Sequence, residues 1–365
     1  MKQITFTNIR IILFIGGFGL INNTLFAQET EGVEGVLSNI SISGSVDSYF
    51  RTNFNGLNKF EYDENGNEIG SPQAPASSFA NDPGFAIGMA NIILGYEGEK
   101  VGFVADLVFG PRGEEAVFLS GPSTNIVNQL YAYYMLSDKV KLTLGNFNTF
   151  LGYEVISPVG NFNYSTSYMF SYGPFSHTGL KADFAFNDNW SGMLAIMNPT
   201  DWTEFNPIGL YSFGGQLGYS NDSGSAYLNL IYGEQAPDSE ATFQIDLTTG
   251  WDITSAFYLG LNTTYNITDG AGFYGAALYP QIKASENFAL GLRAEYFKEL
   301  EDGGPVYGAD VSTVNFTLTG NYSVGNLSIK PELRLDSVSE NVFIDRDLAP
   351  TDNLSSFVLA VVYAF

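Results

Sequence analysis

Residues 357–365 read FVLAVVYAF, and residues 327–336 read LSIKPELRLD. In the first stretch Phe357, Leu359, Val361, Tyr363 and Phe365 alternate with the smaller Val358, Ala360, Val362 and Ala364. In the second, Leu327, Ile329, Pro331, Leu333 and Leu335 alternate with Ser328, Lys330, Glu332, Arg334 and Asp336. A period of two is the mark of a strand, whose side chains project by turns to two faces. A soluble sandwich would turn the charged face of 327–336 to water. A membrane barrel must turn it inward, because Lys or Arg facing lipid at the midplane costs about 2–4 kcal/mol. The alternation fits both, so the rest of the chain decides.

The first residues favour export: Lys2 and Arg10, an apolar run over 11–21, and a small Ala27 before Gln28 read as a cleavable secretory signal over 1–27. A short periplasmic segment over 28–39 is expected to follow. Exported proteins can form disulfides, yet this chain has no Cys. Its stability must therefore come from a hydrogen-bonded sheet or a large core. Past residue 27 the longest apolar run is 357–365, far short of the roughly 18 residues of a membrane helix. Any span must be β. Charged residues make up only 15% of the chain, against about 25% in a typical soluble domain. The net charge of −24 makes nucleic acid and anionic membrane surfaces poor partners. Most acidic groups fall between candidate strands, at 29–34, 61–68, 299–302 and 345–352, as solvated loops or as a cation-attracting vestibule.

The same alternation recurs along the chain. Strands are expected near 40–51, 85–97, 101–109, 129–136, 140–147, 177–186, 190–198, 213–219, 225–232, 241–251, 256–265, 273–283, 288–297, 312–322, 327–336 and 355–365. This gives an all-β, transmembrane antiparallel barrel of about sixteen strands, with fourteen or eighteen also compatible because 190–198 and 213–219 are the least regular. Tight turns at 98–100, 137–139, 187–189, 220–224, 252–255, 284–287 and 323–326 are separated by longer polar loops. Short periplasmic turns opposite long outer loops are the asymmetry of an outer-membrane barrel. The sheet must close, since each unpaired backbone group in hydrocarbon costs several kcal/mol. Residues 355–365 should therefore pair with 40–51. Tyr363 and Phe365 are the expected assembly signal for the barrel assembly machinery. Aromatic residues at strand ends, among them Trp190, Phe288, Tyr322, Phe147 and Phe297, are expected at the membrane interfaces.

Eight strands fill their own interior, whereas about sixteen enclose an aqueous channel. The domain reading is thus a signal at 1–27, a short segment at 28–39 and a barrel over 40–365. The third long loop, 148–176, is rich in Tyr, Phe, Asn and Gly with Glu154 as its one charge. It is expected to fold into the lumen as a constriction, with Tyr153, Glu154, Asn161 and Asn163 as its candidate residues. Residues 142–179 read LTLGNFNTFLGYEVISPVGNFNYSTSYMFSYGPFSHTG. This block resembles the type 2 β-barrel porin family of Gram-negative outer membranes, through Gly145-Asn146-Phe147, Gly152-Tyr153-Glu154, Asn161, Asn163, Ser165, Ser167, Pro174 and His177-Thr178-Gly179. The family usually carries a basic residue where Asn146 stands. The resemblance implies a porin-like barrel with its third loop at the channel, and names no solute.

The alternating polar faces place Lys181, Asp183, Arg293, Glu295, Lys330, Glu332, Arg334 and Asp336 toward the lumen, as cross-strand ion pairs or as a weakly cation-preferring lining. The frequency of Thr, Asn, Gly and Ala on those faces argues for an open interior. No catalytic residue is expected, since the single His177 has no carboxylate partner nearby in sequence. Asp63, Asn65 and Asn67 imitate the start of a calcium loop, but Glu68 stands where its turn needs Gly. No metal and no cofactor are expected. The reading is an outer-membrane channel for passive diffusion of small hydrophilic solutes, in contact with lipid and free to form homo-oligomers. The alternative is a structural or adhesive barrel binding a partner through its long acidic loops at 53–83 and 299–310.

Overall fold

The computed structural model describes residues 39–365, so the expected signal and nearly all of the segment after it lie outside the described residues. Among the described residues twenty strands and two short helices follow in chain order. The first group is β1 (Ile40–Asn53), β2 (Glu61–Tyr62), β3 (Glu68–Gly70), β4 (Gly84–Glu97), β5 (Val101–Phe109), α1 (Pro111–Ala116), β6 (Val127–Ser137) and β7 (Val140–Asn148). Next come α2 (Tyr168–Ser171), β8 (Ser176–Ala185), β9 (Trp190–Met197), β10 (Ser212–Asn221), β11 (Gly224–Glu234), β12 (Ala241–Asp252), β13 (Phe257–Thr268) and β14 (Ala271–Lys283). The last are β15 (Phe288–Glu299), β16 (Ser312–Val324), β17 (Leu327–Val338), β18 (Phe343–Ile344), β19 (Pro350–Thr351) and β20 (Asn353–Ala364). Sixteen of these strands form one closed antiparallel barrel; β2–β3 and β18–β19 are separate hairpins in long loops.

Closure is made by β20, which pairs with β17 on one side and with β1 on the other, from Ser45 opposite Ala364 to Asn53 opposite Ser356. Gly44 and Phe365 exchange both backbone bonds, at 3.1 and 3.0 Å, so the seam is hydrogen-bonded to the last residue. The alternation works as the sequence requires. On β17 Leu333 and Leu335 are exposed to the outside, 48% and 42%, while Glu332 and Asp336 are 1% and 0% exposed within. Both of the least regular stretches are barrel strands, β9 and β10.

Three details correct the sequence reading. The connection between β13 and β14 is a tight turn at Asp269-Gly270, because both residues have positive φ (49° and 80°) and form the reversal that best matches strand twist. Phe147 and Phe297, expected at the interfaces, are 3% and 1% exposed and face inward, since they share the parity of the polar residues on their strands. Finally, the small inward residues do not leave an open interior. They make room for the third loop.

Candidate functional site

The third loop runs from 149 to 175 between β7 and β8, and its side chains and backbone bond to strands around much of the barrel. Its placement follows from charge. Arg293 of β15 donates to Glu154 at 2.7 Å and to the Ser165 carbonyl at 2.6 Å. Glu295 accepts the N–H groups of Tyr168 and Met169 at 3.0 and 2.9 Å. Two strands on, Glu332 accepts the N–H groups of Tyr164 and Ser165 at 2.8 and 3.2 Å, and the Ser165 hydroxyl as well. Lys330 donates to the carbonyls of Pro158 and Asn161 at 2.9 and 2.5 Å. Arg334 donates to the Thr166 carbonyl at 2.9 Å and is held by Asp336 at 2.8 Å along its own strand. Wall carboxylates thus take loop N–H groups, and wall cations give to loop carbonyls.

This is how irregular backbone can be buried at all. A loop inside a barrel has no ladder to join, and each unsatisfied peptide group would cost free energy comparable to a lost hydrogen bond. Ionised side chains make the shorter and stronger of such bonds. The loop also braces itself. Asn161 closes a reciprocal pair with the backbone of Val155 at 2.9 and 2.5 Å, and Glu154 takes the Ser167 N–H at 2.7 Å just before α2. Ser167 in turn caps α2 by accepting from the Phe170 N–H at 3.1 Å. Asn163 reaches Thr319 at 2.7 Å, and the Tyr153 ring stacks on Tyr279 at 4.1 Å between centroids. From α1, Arg112 donates to the carbonyls of Ile156 and Tyr164 at 2.6 and 3.1 Å. Glycines lie where the loop presses closest. A Cβ at Gly214, Gly260 or Gly291 would run into Phe150, Tyr153 or Phe162 respectively.

Of the eight lumen residues read from the sequence, Arg293, Glu295, Lys330, Glu332, Arg334 and Asp336 are buried beneath the loop. They anchor it and do not line open space. Among these six the one wall ion pair, Arg334–Asp336, lies along a strand, and bonds to the loop take the place of cross-strand pairing; the expected cross-strand pair is found only at Asp183, opposite Lys141 of β7. Lys181 and Asp183 lie apart on β8, partly exposed, where Asp183 sits 3.6 Å from both Lys181 and Lys141. His177 is fully buried between Phe147 and Phe150, with its Nε2 3.0 Å from the Thr149 hydroxyl. Asp63 closes a turn by accepting the Asn67 side-chain amide at 2.9 Å and the N–H groups of Asn67 and Asn65, both at 2.8 Å, and these bonds, the Asn67 amide first, hold its carboxyl below the usual range. Tyr363 faces outward, and Phe365 lies at the seam.

Open space lies against another wall. At the long-loop end a cavity of about 290 Å³ is bounded by Tyr172, Pro174, Asp201, Gln244, Asn266 and Thr268, among others. A second, separate space of about 10 Å³ shares Gly173, Pro174 and Gln244 with it and lies next to Asp246, Asn262 and Thr264. Asp246 is fixed there by Asn229 and Asn262 and accepts the Gly152 N–H at 3.0 Å. Gln244, Asn262, Thr264, Asn266 and Thr268 of β12 and β13 are neutral and escape a search for charge, and the carboxylate Asp246 among them was missed. Their signal was the alternation of Thr242, Gln244, Asp246 and Thr248 with Phe243, Ile245 and Leu247.

A closed sixteen-stranded barrel with an oily exterior, a polar interior and a loop laid across the lumen is an outer-membrane porin-like channel. The family model described as "Putative beta-barrel porin-2, OmpL-like" matches residues 39–365, and the chain belongs to that family. Among solved structures, the outer membrane channel DcaP of Acinetobacter baumannii is similar with a TM-score of 0.58 at 11% identity, over 89% of this chain and 97% of that one. The anion-selective porin from Comamonas acidovorans gives 0.58 at 12% identity over 89% and 99%. A trimer form of OmpT from Vibrio cholerae gives 0.53 at 10% over 89% and 99%. At such identities the likeness is one of fold. No curated protein matches the chain.

Proposed function

We propose that the protein lets small hydrophilic solutes diffuse across the outer membrane, with residues 149–175 as the constriction and a weak preference for cations. The observation that carries this reading is the polar-lined space of about 290 Å³ that the third loop leaves against β12 and β13. The cation preference rests on Asp201, the one carboxylate around the wider cavity, where no Lys or Arg is found among the described residues, and on the acidic long loops. It is opposite to the selectivity named for the Comamonas porin. The signal at 1–27, delivery to the barrel assembly machinery through Tyr363 and Phe365, contact with lipid and assembly into homo-oligomers complete the proposal. The trimer recorded for the Vibrio barrel supports the last of these.

Planar-bilayer recording with the purified barrel tests it. Discrete conductance steps are expected, with a reversal potential under a salt gradient on the cation side. Reversal on the anion side would remove the preference, and silence in bilayers together with sugar-tight liposomes would remove the channel. One observation favours a second reading. The neighbouring space of about 10 Å³ holds at most about one water, as expected of a closed barrel that binds a partner through its long loops. Liposome swelling separates the two, since only a channel lets sugars in.

A further inference from the structure

The cavity at the long-loop end has two unlike sides. The barrel wall supplies Thr242, Gln244, Asn266 and Thr268, while the third loop supplies Tyr172 and Pro174. On the polar side much hydrogen-bonding capacity is unspent. Asn266 gives one amide hydrogen to Gln244 at 3.1 Å, which leaves its second N–H and its Oδ1. The hydroxyls of Thr242 and Thr268 bond to each other at 2.6 Å, so the pair keeps one hydrogen and several lone pairs. Asp201 accepts the N–H groups of Phe175 and Ser176 through Oδ1, at 2.8 and 2.9 Å, and Oδ2 takes no bond within the protein. Gln235 nearby is fully engaged, with Thr200, Ser212 and Gly233.

Neutral donors and acceptors side by side, facing an apolar wall, match a molecule whose edge both gives and takes hydrogen bonds and whose faces are C–H. The geometry points to a binding site for one neutral polyhydroxylated ring, a monosaccharide-sized solute, held at the mouth just before the constriction. Volume agrees: about 290 Å³ sits at the small end of the roughly 300–1,000 Å³ of small-molecule sites, enough for one ring. A small anion would find no cationic partner here. An organic cation could use Asp201 and the Tyr172 ring, but would leave the amides and hydroxyls of β12 and β13 unpaired, which is costly.

Its place in transport rests on the diffusion reading, whereas binding itself does not. The test is titration calorimetry of the detergent-solubilised barrel with D-glucose and, separately, with choline, alongside current recording in bilayers. Saturable glucose binding is expected, weakened about three- to tenfold by Asn266→Ala, the cost of one or two hydrogen bonds. Thr268→Val should weaken it similarly and serves if the first variant fails to fold. In Asp201→Asn the amide oxygen stays with the Phe175 and Ser176 N–H groups and an NH2 replaces the free Oδ2, a group that can still give to a sugar oxygen, so glucose binding should survive within about tenfold of the parent. No glucose binding, or choline binding that Asp201→Asn abolishes in its place, would overturn the assignment. A barrel that conducts salt but ignores glucose sinks this inference alone; one that binds glucose but passes neither salt nor sugar sinks the diffusion reading alone.

Discussion

Arg293 illustrates what one buried charge does here. It is 0% exposed and touches Glu154, Ser165 and Thr317, so its guanidinium is spent entirely on the loop and the wall. Arg293→Met would strand the Glu154 carboxylate in a dry site, at a cost of about 3–5 kcal/mol. Urea unfolding should show that loss, and the double variant with Glu154→Gln should lose less than the two single variants together. Asp201 predicts a pH effect. Burial pushes its carboxyl up to about 6 although two N–H groups oppose this. The folded chain therefore holds that proton more tightly than the unfolded one, whose value is near 3.8. The contribution is fully present below about 3.8 and is lost as pH rises through about 6. Protection factors of residues 198–211, with the intrinsic pH dependence of amide exchange divided out, should be higher at pH 3.5 than at pH 7, and Asp201→Asn should flatten the difference. Asn suits the site, since Asp201 has a φ of 66°. The charged residues on the polar faces were legible from alternation alone. That they grip a loop was not, because alternation tells which face a side chain takes and says nothing of what lies opposite it.

Among the elements, the third loop carries the sharpest prediction. If residues 149–175 narrow the channel, removing 153–171 should raise single-channel conductance severalfold, the interior of a sixteen-stranded barrel being otherwise aqueous. Unchanged conductance would mean that solutes pass elsewhere. The loop could be read from sequence as packed, since a stretch with Phe150, Phe162, Phe170 and Tyr164 and a single charge cannot float in water. Its bed could not be read. Small residues on the inner faces were read as open lumen, whereas Gly214, Gly260 and Gly291 among them are places where a loop ring meets bare backbone. The Asp269-Gly270 turn was legible and passed over, since an Asp-Gly pair between alternating runs is a strong hairpin signal.

For the whole molecule, closure depends on the last strand. Because Phe365 exchanges both backbone bonds with Gly44, deleting it should slow or lower heat-stable barrel formation, read by mobility on unheated gels. Normal insertion of the shortened chain would show that the seam forms without it. The seam was written in the sequence because lipid permits only a closed, alternating sheet, whereas strand number was bracketed between fourteen and eighteen, since closure does not set the count. The same loop also bears on how fast the barrel forms. Tyr164 donates its hydroxyl to Asp47 of β1 and its N–H to Glu332 of β17, so one loop residue grips both strands that flank β20. Contacts this distant along the chain are slow to form. A loop seated early would act as a mandrel holding the two margins in register while the final strand zips between them. Variants that loosen Tyr164 should then reveal themselves first as sluggish folders.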